Sequence, residues 1–247
     1  MNLDRTLHLV PRSGAVSPLY IYLHGAGASA LAMAPVADRF AQAYPHAAHL
    51  MPDGFEPSDV TADGRQWFGV TALDDVTRVE RVAAAIPALV SFIREAQAHF
   101  GVTPLATALV GFSQGGIVAL ETAQAHAGLV GRVVAIASRY AVLPEHAPDA
   151  VIHLVNGKDD AVVAPRHAID AATRLVALGG DVTADVVPGV GHDPHAELVD
   201  RALEHLQSFL PRRIWAQALA EAPLIATRAD SRALGRPAPP AAANDPA

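Results

Sequence analysis

The sequence predicts an α/β fold: a mostly parallel, doubly wound sheet with no large lid domain. Two observations carry that expectation. Short apolar runs alternate with stretches of helical period from residue 106 to residue 209, and strands alternating with helices imply parallel pairing with both sheet faces covered. The glycine-bearing loops 24–27, 111–116, 157–160 and 189–193 each follow an apolar run. That gathers them at the carboxyl edge of the strands, where sheets of this kind bind ligands.

The elements follow in order. Pro18–Leu23 is a short apolar and aromatic run and reads as a buried strand. Ser29 is positioned as the N-cap of a helix over roughly 30–43. Residues 46–51 form a second strand, ended by Pro52-Asp53-Gly54, and residues 53–71 read as a loop carrying Trp67 and Phe68. A long helical pattern runs from 74 to 99, with Pro87 as a kink, and stops at Gly101. Strands are expected at 106–110, 132–137, 151–155 and 182–187, and helices at 114–126, 165–178 and 195–209. Gly179-Gly180 ends the second of these helices, and Pro194 is placed to start the third. Past Pro211, Ile214, Trp215, Ala218, Leu219 and Ala222 recur at helical spacing, and from 229 the tail is rich in Ala and Pro. The expected organisation is one domain over 1–210, a helical extension over 211–228, and a disordered tail over 229–247.

Composition excludes several functions. The net charge is −7 with no basic run, which argues against a nucleic-acid partner. Cysteine is absent, so disulfides, thiolate metal sites and a cysteine nucleophile are ruled out. No stretch approaches the ~20 apolar residues of a membrane span, and the N-terminal segment lacks an apolar core of signal length. The expectation is a soluble cytoplasmic protein without stable membrane insertion, with a homodimer through the C-terminal helix or the surface as an option.

Gly111-Phe112-Ser113-Gln114-Gly115 has the G-x-S-x-G form, after an apolar strand and before a helix. Such a turn strains the serine backbone and lifts its hydroxyl to the top of the sheet, and flanking glycines remove side chains that would collide. A simple serine cap in a glycine turn is the bland alternative. A phosphate cradle is disfavoured, because no P-loop lysine or dinucleotide glycine spacing accompanies the turn. A serine hydroxyl needs a base. Asp160 follows one later strand and His192 the next, which gives the order serine, acid, histidine at one sheet edge. Asp159 and His195 are the neighbouring alternatives. Asp159 is expected to be solvated, and His195 to lie within the helix after Pro194. A metal site from His192, Asp193, His195 and Glu197 fits no common zinc spacing, so neither metal nor cofactor is expected.

With these residues in view, the chain resembles the phospholipase/carboxylesterase family of α/β-hydrolases, which includes bacterial carboxylesterases and acyl-protein thioesterases. The matching segments are Leu23-His24-Gly25, Gly111-Phe112-Ser113-Gln114-Gly115-Gly116, Gly157-x-x-Asp160, Gly191-His192 and Arg65-Gln66-Trp67-Phe68, within residues 17–210. The family often has a bulky leucine where Ala26 stands, and usually a histidine where Asn156 stands. The resemblance implies an α/β-hydrolase fold and a serine hydrolase with Ser113, Asp160 and His192 as its triad. It also implies an oxyanion hole from the backbone N–H groups of Ala26 and Gln114, and an acyl site near Trp67, Phe68 and Phe112. The expected substrate is a small-molecule carboxylic ester of short to medium acyl chain. Acyl thioesters, lysophospholipids, and a catalytically silent binding role are the alternatives.

Overall fold

The computed structural model describes residues 6–12 and 14–221. The expected disordered tail over 229–247, and residues 222–228 of the expected extension, lie outside the described residues. A seven-stranded sheet organises the chain. In chain order its strands are β1 (Leu7–Leu9), β2 (Leu19–Leu23), β3 (Ala48–Met51), β6 (Thr107–Phe112), β7 (Arg132–Ile136), β8 (Val151–Gly157) and β9 (Val182–Val187). Their spatial order is β1-β3-β2-β6-β7-β8-β9. Every pairing is parallel except that of β1 with β3. Between β3 and β6 lie two further two-residue strands, β4 (Glu56–Pro57) and β5 (Arg65–Gln66), which pair as a small ribbon.

The helices are α1 (Ala34–Ala43), α2 (Asp75–Phe100), α3 (Gln114–Ala125), α4 (Arg166–Ala177), α5 (Ala196–Ser208) and α6 (Arg212–Glu221). Alternation along β2 sets which helix covers which face. Leu19, Ile21 and Leu23 pack with α2, α3 and α4, whereas Tyr20 and Tyr22 pack with α1 and α5. The chain leaves β2 for β3 on one side and returns to β6 on the other. The sheet order therefore reverses beside β2, and the loops after β2 and β6 face each other across the crevice that this reversal opens.

Local chemistry explains the ends. Asp74 caps α2 reciprocally: its carboxylate accepts the Thr77 N–H at 2.7 Å, and the Thr77 hydroxyl accepts the Asp74 N–H at 2.9 Å. Gly101 closes α2 in the left-handed region at φ 64°. Pro87 lies inside this helix, which runs unbroken across it. Ser29 does not cap as expected. Residues 30–33 form a 3-10 turn whose first N–H is held by Asp53 Oδ1 at 2.7 Å, so a carboxylate from another loop has taken the capping position. His195 is the N-cap of α5 and not a residue inside it, its Nδ1 accepting the Glu197 N–H at 3.3 Å.

The described residues divide into two units, one ending at Pro211 and the other beginning at Arg212. Within the second, α6 carries exposed Ile214, Trp215 and Leu219. No helix among the described residues is long and apolar enough to cross a membrane.

Candidate active site

Ser113 stands between the end of β6 and the start of α3 with φ 52° and ψ −118°. A non-glycine residue held there is strained and needs its surroundings to impose it. They do: the Ser113 N–H donates to Ile136 O at 3.0 Å, and its carbonyl accepts the Gly116 and Ile117 N–H groups and the Ser138 hydroxyl, the last at 2.8 Å. The neighbouring glycines make room. A Cβ on Gly111 would overlap the Gly115 main chain, and a Cβ on Gly115 would overlap the Leu23 carbonyl. Both are demands of close approach, since neither glycine has a positive φ.

His192 brings Nε2 to 3.0 Å from Ser113 Oγ and Nδ1 to 2.8 Å from Asp160 Oδ2. The Asp160 carboxylate is fully buried, and its other oxygen accepts the Val162 and Val163 N–H groups, both at 2.8 Å. An ionised carboxylate only accepts, so the imidazole proton sits on Nδ1 and the Nε2 lone pair faces the serine hydroxyl. The structure thus joins Ser113, His192 and Asp160 in one hydrogen-bonded chain. Asp159 is exposed, as expected, yet it also accepts the Gly189 N–H at 2.8 Å, and its own N–H donates to Val190 O at 3.0 Å. It laces the acid loop to the loop that carries His192.

Ala26 and Gln114 occupy the facing loops. The Gln114 N–H opens α3 and has no intrahelical acceptor. The Ala26 N–H makes no hydrogen bond among the described residues. The loop that presents Ala26 is held by its neighbours. Gly27 N–H donates to Arg65 O at 2.9 Å, and Arg65 N–H donates to Ala28 O at 2.7 Å. The Thr61 hydroxyl donates to Gly27 O at 2.9 Å.

His24 has a part that its motif did not announce. It is fully buried. Nδ1–H donates to Gly25 O at 2.7 Å, and Nε2 accepts the Gly54 N–H at 2.8 Å. Burial pushes its pKa below the ordinary histidine value, against smaller opposing effects of Gly25 O and Asp53. It is a neutral bracket between loop 25–28 and loop 52–54.

The expected acyl-site residues fall into two groups. Phe112 is half-buried, with its ring centroid 5.0 Å from that of His192. Trp67 and Phe68 are only 1% and 2% exposed and belong to the core, so they present no open wall. The cause is a clamp that sequence reasoning missed. Gln114 Oε1 accepts the Trp67 N–H at 2.8 Å, and Gln114 Nε2 donates to Phe68 O at 2.6 Å. Trp67 Nε1–H in turn donates to His24 O at 2.9 Å. The signal was present in principle, since a glutamine side chain beside a strained serine had to find partners once buried. Asn156, fully buried at the end of β8, has neither amide atom hydrogen-bonded among the described residues. A concavity of about 400 Å³ is bordered by Pro52, Asp53, Gly54, Phe55, Arg65 and Phe92, and none of the three hydrogen-bonded residues lines it.

Comparison with known proteins bears on this geometry. The family model described as Phospholipase/Carboxylesterase matches residues 6–210. Esterase YpfH of Escherichia coli (strain K12) is 41% identical over 202 residues, covering 81% of this chain and 87% of that protein. The crystal structure of esterase PE8 superposes with a TM-score of 0.76 at 25% identity, covering 83% of this chain and 98% of its own. The carboxylesterase of Bacillus cereus, at 17% identity and a TM-score of 0.69 over 82% of this chain and 92% of its own, shares the fold.

Proposed function

This chain belongs to the phospholipase/carboxylesterase family and is an esterase-type hydrolase of α/β-hydrolase fold, and from that premise we propose that it cleaves carboxylic esters of short to medium acyl chain through an acyl-enzyme on Ser113. The observation that carries the reading is the chain from Ser113 Oγ to His192 at 3.0 Å and from His192 to Asp160 at 2.8 Å.

Ser113 Oγ–H gives its proton to His192 Nε2 as the oxygen attacks the ester carbonyl. Asp160 holds the imidazole by Nδ1 and stabilises the imidazolium that results. The carbonyl oxygen becomes an oxyanion, which the Ala26 and Gln114 N–H groups receive at the positive end of α3. The C–O bond to the alcohol breaks, and the alcohol leaves with the proton from His192. Water, deprotonated by His192, then attacks the acyl-enzyme and releases the acid and Ser113.

The 137–150 connection carries no helix, which supports an open site and shorter acyl chains. A thioester would react by the same steps. The exposed apolar residues of α6 are the basis for expecting a homodimer, which sedimentation checks. The direct test is Ser113→Ala. Turnover of p-nitrophenyl butyrate should fall by ~10³-fold or more with the circular dichroism unchanged, and wild type should label with a fluorophosphonate. Near-normal turnover in the variant, or failure of wild type to label, would sink the proposal and favour a binding protein.

A further inference from the structure

Three arginines converge on the carboxyl edge of the sheet beside this site. Arg139 directly follows Ser138, whose hydroxyl is bonded to the Ser113 carbonyl at 2.8 Å. Arg166 opens α4, six residues after Asp160. Arg78 lies in the first turn of α2, on the segment that emerges from the Trp67–Phe68 clamp. Arg78 and Arg139 share the Asp75 carboxylate, and Arg139 and Arg166 follow the neighbouring parallel strands β7 and β8. Burial is the first cause that lowers the Arg139 pKa, and repulsion from Arg78 comes next, opposed by Asp75, with Arg166 adding to it. His167 is likewise lowered, first by burial and then by Arg139 and Arg166, with Arg78 contributing.

Compensation is sparse. Asp75 Oδ1 lies 2.5 Å from Arg78 Nη1 and 3.9 Å from Arg139 Nη2, but the Asp75 side chain is 89% exposed. Arg166 makes no ion pair among the described residues. The side chains of Arg78 and Arg139 are held close, at 14% and 21% exposed, whereas Arg166 is exposed at the start of α4. Two partly desolvated guanidinium groups sharing one wet carboxylate, with a third in water beside them, form an unfinished charge arrangement, in a protein whose net charge is −7. An anion supplied from outside would complete it, and guanidinium forks suit carboxylate and phosphate oxygens.

We infer that the substrate of the Ser113 site is an anionic ester, whose carboxylate or phosphate, on the acyl or the alcohol side, is held by Arg78, Arg139 and Arg166. This rests on the serine hydrolase reading and deepens it. Neutral esters then react without that anchor, and esters bearing a quaternary ammonium are repelled.

The test is the ratio of kcat/KM for an anionic ester to that for a neutral one, each corrected for its reactivity with hydroxide. p-Nitrophenyl hemiglutarate carries the charge on the acyl side as carboxylate, phenyl phosphonoacetate carries it there as phosphonate, and 3-acetoxybenzoate carries it on the alcohol side; p-nitrophenyl butyrate and phenyl acetate are the neutral partners. At least one anionic arm should exceed its neutral partner about tenfold or more, and the arm that does identifies where the charge sits. Arg139→Gln and Arg166→Gln should each lower that ratio ~10-fold or more, as expected for a lost hydrogen bond to a charged group. Asp75→Asn should raise it, 0.5 M salt should lower it, and Arg201→Gln, on the far-removed Glu204 pair, should leave it unchanged. If Arg139→Gln does not fold, Arg166→Gln and the salt response read the same quantity. A ratio near one in every arm, or a ratio indifferent to both arginine substitutions, overturns the inference. Loss of fluorophosphonate labelling, or of neutral-ester turnover in wild type, would instead overturn the hydrolase reading beneath it.

Discussion

Replacing Gln114 by leucine separates the two contributions of that residue. The backbone N–H offered to the oxyanion stays, and the side-chain clamp goes. Leucine leaves the buried Trp67 N–H and Phe68 carbonyl without the partners that now lie at 2.8 and 2.6 Å. Each orphaned buried group costs about 1–3 kcal/mol, so the loss should reach about 2–6 kcal/mol. For a chain of this size that is a fall of roughly 4–24 °C in Tm. Because Trp67 Nε1 also holds the His24 carbonyl, at the root of the loop presenting Ala26, the variant should lose about tenfold in kcat with little change in KM. Scanning calorimetry and initial rates at saturating ester measure both. Gln114→Glu is a stringent companion, since it keeps the acceptor for Trp67 but faces Phe68 O with a second oxygen. A Gln114→Leu protein that melts within about 1 °C of wild type would refute the clamp as a stabilising element. A loss expressed only in KM would refute its link to the oxyanion loop.

Four further outcomes are expected. Asp160→Asn would turn an amide N–H toward His192 Nδ1, favour the tautomer protonated on Nε2, and lower kcat by about 10⁴-fold with the fold retained; steady-state rates and circular dichroism check it. Gly115→Ala, whose Cβ would overlap the Leu23 carbonyl, should destabilise by more than about 3 kcal/mol or abolish folding, measured by urea denaturation. Acid should weaken the protein through His153, whose pKa is lowered to about 3, by burial first and then by Arg132 and His205. The unfolded chain binds this proton at about pH 6.5 and the folded chain does not, so stability is complete above that pH and falls as pH drops toward 3, by about 2 kcal/mol at pH 5; His24 and His49 act in the same direction, and His153→Gln should flatten the dependence of urea midpoint on pH. Asn156→Leu replaces a buried amide without a hydrogen-bond partner among the described residues by an apolar group of similar shape and should leave Tm unchanged or raise it.

The parallel strands were legible because strands covered on both faces read as continuous apolar runs. Ser113 and Asp160 were legible because each follows such a run; His192 follows the half-exposed edge strand β9, marked by its valines rather than by an unbroken apolar run, and parallel strands deliver all three exits to one edge. Elements without that signature escaped. All three residues of β1 are exposed, and β4 and β5 have two residues each, too short for any periodicity. The capping of residue 30 by Asp53 and the clamp of Trp67 by Gln114 join positions far apart in sequence, so no local pattern announces them. Trp67 and Phe68 read as pocket walls from their neighbourhood alone, whereas burial is decided by what closes over them. The likeness between Arg78, Arg139 and Arg166 is invisible along the chain, because each sits on a different element.

The bridge between Ala28 and Arg65 has a consequence for diversification. Its two hydrogen bonds are main-chain to main-chain, so they are indifferent to which side chains the joined segments carry. Within the segment just before this anchor, Val60, Ala62 and Asp63 could be exchanged to reshape the rim of the crevice while the Ala26 N–H stays where it is. Ser58, Asp59, Thr61 and Gly64 are the exceptions: Ser58 Oγ and Asp59 Oδ2 accept backbone N–H groups, the Thr61 hydroxyl donates to the Gly27 carbonyl, and a Cβ on Gly64 would strike that carbonyl. A library randomised at 60, 62 and 63 with those four fixed would vary what the rim admits and keep the loop beneath it in register.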